Sequence, residues 1–122
     1  MANPFVHIEL NTADPEEAKA FYSKLFEWHL EDIPNPAVPG GSYTTIKVGE
    51  GTGGGIMKKV PKGPSGWLAY VEVNDIQATT EKARSLGAKV MKEVTEIMGM
   101  GRLSFIQDPT GAVLGLWQYK SH

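Results

Sequence analysis

The stretch FVHIELNTADPEEAKAFYSKLF, residues 5–26, decides how this chain is read. Val6-His7-Ile8-Glu9-Leu10-Asn11 alternates apolar and polar, the pattern of a strand with one face in a core. Val6, Ile8 and Leu10 point one way; His7, Glu9 and Asn11 share the other face. Asp14-Pro15-Glu16-Glu17 then opens a helix. Asp14 can cap it, Pro15 loses no hydrogen bond in the first turn, and Glu17 stands at the capping-box position. Ala18, Phe21, Tyr22, Leu25 and Phe26 follow at helical spacing and read as a core-facing stripe. The helix is expected to end near Glu27 or Trp28.

The same plan returns 61 residues later, in WLAYVEVNDIQATTEKARSLG, residues 67–87 (68 − 7 = 61; 75 − 14 = 61). Asp14 meets Asp75, Leu10 meets Val71 and Leu25 meets Leu86, whereas His7 meets Leu68. Self-similarity at a fixed period is evidence about architecture. In the second copy Trp67, Ala69, Val71 and Val73 share one face and Leu68, Tyr70 and Glu72 the other. Asp75 caps the second helix and Gly87 stops it. Between the copies, Ser42 to Val48 and Gly53 to Lys59 read as strands, and Pro34 to Gly41 as a loop. Pro61 to Gly66 is the linker. After the second helix, Ala88 to Val94, Arg102 to Ile106 and Ala112 to Tyr119 read as strands, with Asp108-Pro109-Thr110-Gly111 as a turn. Each half is read as β-α-β-β-β. The expected organisation is one domain, with module one at 1–60, a linker at 61–66 and module two at 67–122.

Composition narrows the function. With 122 residues and 41% apolar side chains, a single core-forming domain is the expectation. No cysteine is present, which excludes disulfides, zinc–thiolate sites and thiol nucleophiles. A net charge of −2 with scattered Lys and Arg gives no basic stripe, so no nucleic-acid partner is expected. No long apolar run or signal pattern occurs, so a cytoplasmic protein without a membrane partner is expected. Fourteen glycines and eight prolines favour many turns and short strands. Gly53-Gly54-Gly55 lacks the following helix and Lys-Ser or Lys-Thr of a phosphate cradle, and reads as a strand edge with close backbone approach. Met98-Gly99-Met100-Gly101 reads as a flexible strand connection, and His29 and His122 as surface residues.

The chain resembles the vicinal oxygen chelate superfamily, which includes glyoxalase I, bleomycin-resistance proteins and extradiol dioxygenases. The resemblance rests on Val6-His7-Ile8-Glu9-Leu10, on the helix Ala18 to Phe26, and on the closing run Asp108 to Trp117. It covers nearly the whole chain. It implies an α+β fold in which two βαβββ modules form a curved, half-open mixed sheet around a cavity. A dimeric ferredoxin-like barrel needs a β-α-β-β-α-β order, which the strand runs after each helix disfavour. The resemblance also implies a homodimer, and sheet edges in so short a chain favour a covering partner.

Metal-dependent members of that superfamily take ligands from the first and last strands of each module. Carried onto this sequence, the first-strand position is His7. Its repeat mate is Leu68, the last-strand position of module two is Gly115, and its mate is Gly54 or Gly55. Three of four donors are therefore missing, and no metal or other cofactor is expected. What remains is a set of polar groups on the inner face: His7, Glu9, Tyr70 and Glu72, with Trp117 and Tyr43 as aromatic walls. A few placed polar groups among apolar walls suit a small-molecule ligand. His7 is the candidate general base and Glu9 its orienter, for a lyase or isomerase of glyoxalase-like type. The alternative is a non-catalytic protein that sequesters a drug or metabolite.

Overall fold

The computed structural model describes residues 2–97 and 99–120, so Met98 and His122 lie outside the described residues. In chain order the elements are β1 (Phe5–Thr12), α1 (Pro15–Leu25), β2 (His29–Pro34), a 3-10 turn (Pro39–Gly41), β3 (Ser42–Lys47), β4 (Gly54–Lys58), β5 (Gly66–Glu72), α2 (Ile76–Ser85), β6 (Lys89–Ile97), β7 (Gly101–Gln107) and β8 (Val113–Tyr119). The class is α+β, with the β-α-β-β-β order realised twice. Residues divide into two compact units: a first of residues 7–68, and a second of residues 1–6 with 69–122.

In the first unit the strand order is β2-β3-β4-β1. β2 with β3 and β3 with β4 are antiparallel, whereas β4 and β1 run parallel, with Leu10 opposite Ile56 and Glu9 opposite Gly55. Leu10, Ile46 and Ile56 are buried on one face, and Ala18, Tyr22, Trp28 and Leu30 pack against them. Asp14 caps α1 by accepting from the Glu17 amide at 3.0 Å. The stripe along α1 is only half committed to this core. Ala18 and Tyr22 join it, but Phe21, Leu25 and Phe26 stay 44–57% exposed. An eleven-residue helix over one sheet can bury only the face turned toward it.

β2 is the element that the sequence did not delimit. His29-Leu30-Glu31-Asp32-Ile33-Pro34 is exposed at every position but Leu30 and shows little alternation. It is a strand because its backbone pairs with β3 along its whole length. Asp32 holds it in place: its carboxylate accepts from the Thr44 hydroxyl at 2.6 Å and from Lys19 at 3.1 Å.

In the second unit the order is β5-β8-β7-β6, again with one parallel pair, β5 with β8. Val73, Ile76 and Leu116 form its core. Asp75 caps α2 by accepting from the Ala78 amide at 3.1 Å, as Asp14 does in the first unit. Thr80 on α2 and Ser104 on β7 are fully buried and hydrogen-bonded to each other at 2.9 Å. The predicted turn at Asp108 forms, with the Asp108 carboxylate accepting from the Thr110 hydroxyl and from the Thr110 and Ala112 amides. The N-terminal segment belongs here: the Glu72 amide donates to Pro4 O at 2.9 Å, and Asn3 Nδ2 donates to Glu72 O. Among the described residues no helix is long and apolar enough to cross a membrane.

Candidate functional site

The alternation along β1 places His7, Glu9 and Asn11 on the sheet face opposite Leu10, since residues two apart on a strand point the same way. Gly55 lies beside Glu9 on β4, and Thr45 lies beside Gly55 on β3. Tyr43, two residues before Thr45, therefore projects from this face as well. Its ring passes over Gly55: a Cβ built on that glycine would fall inside the Tyr43 phenol. Only a residue without a side chain lets β3 reach across β4 to β1 at this point.

The reach ends in a short polar chain. His7 Nε2 and Tyr43 Oη share a hydrogen bond of 2.7 Å, and the Tyr43 hydroxyl donates to Glu9 Oε2 at 2.8 Å. Asn11 Nδ2 donates to the other oxygen, Glu9 Oε1, at 3.3 Å. The His7 and Tyr43 rings are nearly parallel, 22° apart with centroids at 6.3 Å. Glu9 is only 7% exposed, so these two donors offset the loss of water around its carboxylate. Burial holds the His7 imidazole below its ordinary value of 6.5, against the smaller pull of the Glu9 charge in the other direction.

The structure thus brings together His7, Glu9 and Tyr43, three of the six expected site residues, within one unit. Tyr43 is more than an aromatic wall, because its hydroxyl bridges the His7 imidazole and the Glu9 carboxylate. Asn11 and Gly55 stand outside the set of site residues that the sequence predicts. Alternation already put Asn11 on the right face, but nothing local marks Gly55 as the gap under Tyr43. The pairing register also settles which of the two glycines shares the His7 face: Gly55, opposite Glu9, whereas Gly54 lies opposite Ile8.

Tyr70, Glu72 and Trp117 share one face of the second unit, where Tyr70 pairs with Gly115 and Glu72 with Trp117. The Tyr70 ring covers Gly115, within 2.6 Å of where its Cβ would stand, and meets the Phe105 ring edge-on at 5.9 Å. Tyr70 is 4% exposed. A glycine under an aromatic ring therefore occurs in both units, at Gly55 and at Gly115. These are two of the positions where the superfamily resemblance would place a metal ligand. Among the described residues no group of three or more His, Asp or Glu side chains is placed to hold a metal ion. The first unit also has an apolar cleft of about 210 Å³, lined by Ile8, Trp28, Ile46, Val48, Gly54 and Trp67. It opens on the Ile8 face of the sheet, not the His7 face.

The β-α-β-β-β order, realised twice, matches a glyoxalase-like fold. Residues 5–116 match the family model of the Glyoxalase/Bleomycin resistance protein/Dioxygenase superfamily, and the chain belongs to that superfamily. It is 38% identical over 119 residues to CFP32 of Mycobacterium tuberculosis, whose name proposes it as a glyoxylase; the match covers 94% of this chain and 45% of that protein. It is 26% identical over 129 residues to the anthracycline biosynthesis protein DauV of a Streptomyces species, covering 90% of this chain and 45% of the relative. The chain thus spans about half the length of these curated relatives. Among solved structures, a Streptomyces coelicolor methylmalonyl-CoA epimerase variant in complex with 2-nitronate-propionyl-CoA has the same fold, with a TM-score of 0.73 at 15% identity, covering 98% of this chain and 99% of that one.

Proposed function

We propose that the chain acts on a small organic molecule carrying an acidic C–H beside a carbonyl, with His7 as general base and Glu9 as the group that steadies the imidazolium formed. The observation that carries this reading is the His7–Tyr43–Glu9 chain. An imidazole held below its ordinary titration midpoint is unprotonated at neutral pH, and a nearby carboxylate favours the charge it gains on taking a proton. The outcome is an isomerase- or lyase-type step. The reading routes no step through a divalent ion, because Leu68, Gly55 and Gly115 offer no donors at the positions where partner ligands to His7 are needed.

The test is turnover with a panel of aldehydes, thiol conjugates and acyl thioesters. The panel includes thioesters because the Streptomyces coelicolor epimerase structure holds one. His7→Ala is expected to lower kcat on any substrate found by roughly 10²–10⁴-fold. Unchanged turnover would remove His7 from the reaction. A stoichiometric divalent ion in the purified protein, lost in His7→Ala, would contradict the metal-independent reading.

A second reading, sequestration of a planar apolar molecule without turnover, is favoured by the apolar cleft that Trp28 and Trp67 help to line. Stabilisation by flavins or planar antibiotics in a thermal-shift screen, with no product formed and with loss in Trp67→Ala, would select it. Both readings take the chain as a homodimer. Phe21, Leu25, Phe26 and Trp67 leave an apolar surface on the first unit of a kind that soluble chains seldom leave uncovered.

A further inference from the structure

We infer that the apolar cleft on the Ile8 face of the first unit is a binding site for an uncharged aromatic molecule of about two fused rings. The inference deepens the sequestration reading: it rests on that cleft, and it names the class of ligand the cleft takes.

The cleft begins as a missing side chain in the sheet. Ile8, Gly54 and Ile46 stand side by side on β1, β4 and β3. The next row, Leu10, Ile56 and Thr44, is buried at every position, and Ala18 and Tyr22 of α1 pack against its core. In the first row Ile46 is buried, Ile8 is 37% exposed and Gly54 contributes no side chain. A residue at 54 cannot fill the gap, because a Cβ built there would fall on the Ile8 carbonyl oxygen. The close pairing of β4 with β1 thus requires the glycine, and the glycine leaves a hollow of about 210 Å³ with Ile8, Ile46 and Val48 in its wall.

Two tryptophans complete that wall, and both are held by other rings. Trp28 and Trp67 meet at 78° with centroids 6.2 Å apart. Tyr22 lies 5.6 Å from Trp28 and 5.5 Å from Trp67, and Phe26 lies 4.8 Å from Trp28. A flat ring entering this corner can stack on one indole while it meets the other edge-on, the two arrangements that aromatic pairs prefer. Rings already fixed by their neighbours lose little freedom when a ligand arrives. An apolar cavity of roughly 150 Å³ holds benzene, so this hollow has room for a second, fused ring. Among the described residues none of the side chains lining it is charged. A charge carried into it would lose water and gain no partner, so the ligand is neutral.

Indole is the probe, followed in ¹H–¹⁵N correlation spectra of the whole chain. Saturable shifts are expected at the Ile8, Val48 and Gly54 amides and at the Trp67 side-chain N–H, which Trp67→Ala identifies by its loss. Trp67→Ala removes an exposed wall, and Val48→Phe puts a ring into the hollow. Each is expected to weaken indole binding roughly ten-fold or more, with circular dichroism unchanged. His7→Ala is expected to leave binding as it was. Indole-5-carboxylate, with its charge fixed to the same rings, is expected to bind roughly ten-fold more weakly than indole. No saturable shift at these positions, or affinity unchanged in both cleft variants, would overturn the site. Equal affinity for the two probes would overturn the ligand class. Turnover dependent on His7 would end the sequestration reading and leave this site standing. A flavin or antibiotic that stabilises Val48→Phe as well as the unaltered chain would leave sequestration standing and remove it from this cleft.

Discussion

His7 carries the first prediction at the scale of the residue. Its folded-state pKa lies below the unfolded value, because burial disfavours the imidazolium more than Glu9 favours it. Between those two values the unfolded chain binds the extra proton and the folded chain does not. Stability from this group therefore rises with pH: it is complete above about 6.5 and is lost as pH falls from there toward the folded value. Urea denaturation is expected to show a falling midpoint as pH drops below about 6.5, and His7→Gln is expected to flatten that slope. An equal slope in both proteins would place the acid sensitivity elsewhere. Asp32 cannot be mistaken for the source. The Thr44 hydroxyl and Lys19 lower its pKa from 3.8, so its contribution is present above that value and is lost only as pH falls below it.

Elements carry the next two predictions. Asp14 and Asp75 each accept from the amide three residues on, at 3.0 Å and 3.1 Å, so each satisfies one of the orphan donors that open a helix. Asp14→Ala and Asp75→Ala should each lower stability by about 1 kcal/mol, measured by urea denaturation. Thr80 and Ser104 form a pair buried between α2 and β7. Thr80→Val strands the Ser104 hydroxyl and should cost about 1–3 kcal/mol, whereas adding Ser104→Ala should recover part of that loss. A double variant no better than the single would show that packing, not the hydrogen bond, sets the cost. The same scale separates what was legible from what was not. The caps at Asp14 and Asp75 and the turn at Asp108 could be read directly, because each is built by side chains within four residues of the backbone they bond. β2 could not, since its residues face solvent and its only strand signal is the pairing it makes with β3.

For the whole molecule, the apolar residues Phe21, Leu25 and Phe26 bear on assembly. Their helical spacing reads as a core-facing stripe, but spacing gives a face, not the partner that covers it. If a second copy covers them, sedimentation velocity should give the mass of two chains. Phe21→Lys with Phe26→Lys should then give one, with the helical signal in circular dichroism retained. A monomeric unaltered protein would end the homodimer reading. The superfamily could be recognised in the sequence because a 61-residue repeat carries capping and alternation in both copies, and these are local signals.

The sequence by itself determined the strand-then-helix opening of each half, the two capped helices and the face that His7, Glu9 and Asn11 share. All of these follow from periodicities of two and 3.6 residues and from side chains that bond nearby backbone. Only the tertiary structure decided what His7 touches. Tyr43 lies 36 residues away, on a strand two places over in the sheet. It arrives because β3 and β4 pair in a register that puts Gly55 under its ring, and β4 and β1 in one that puts Glu9 beside Gly55. Strand order and register are set by hydrogen bonds between distant segments, and no local pattern in the chain encodes them.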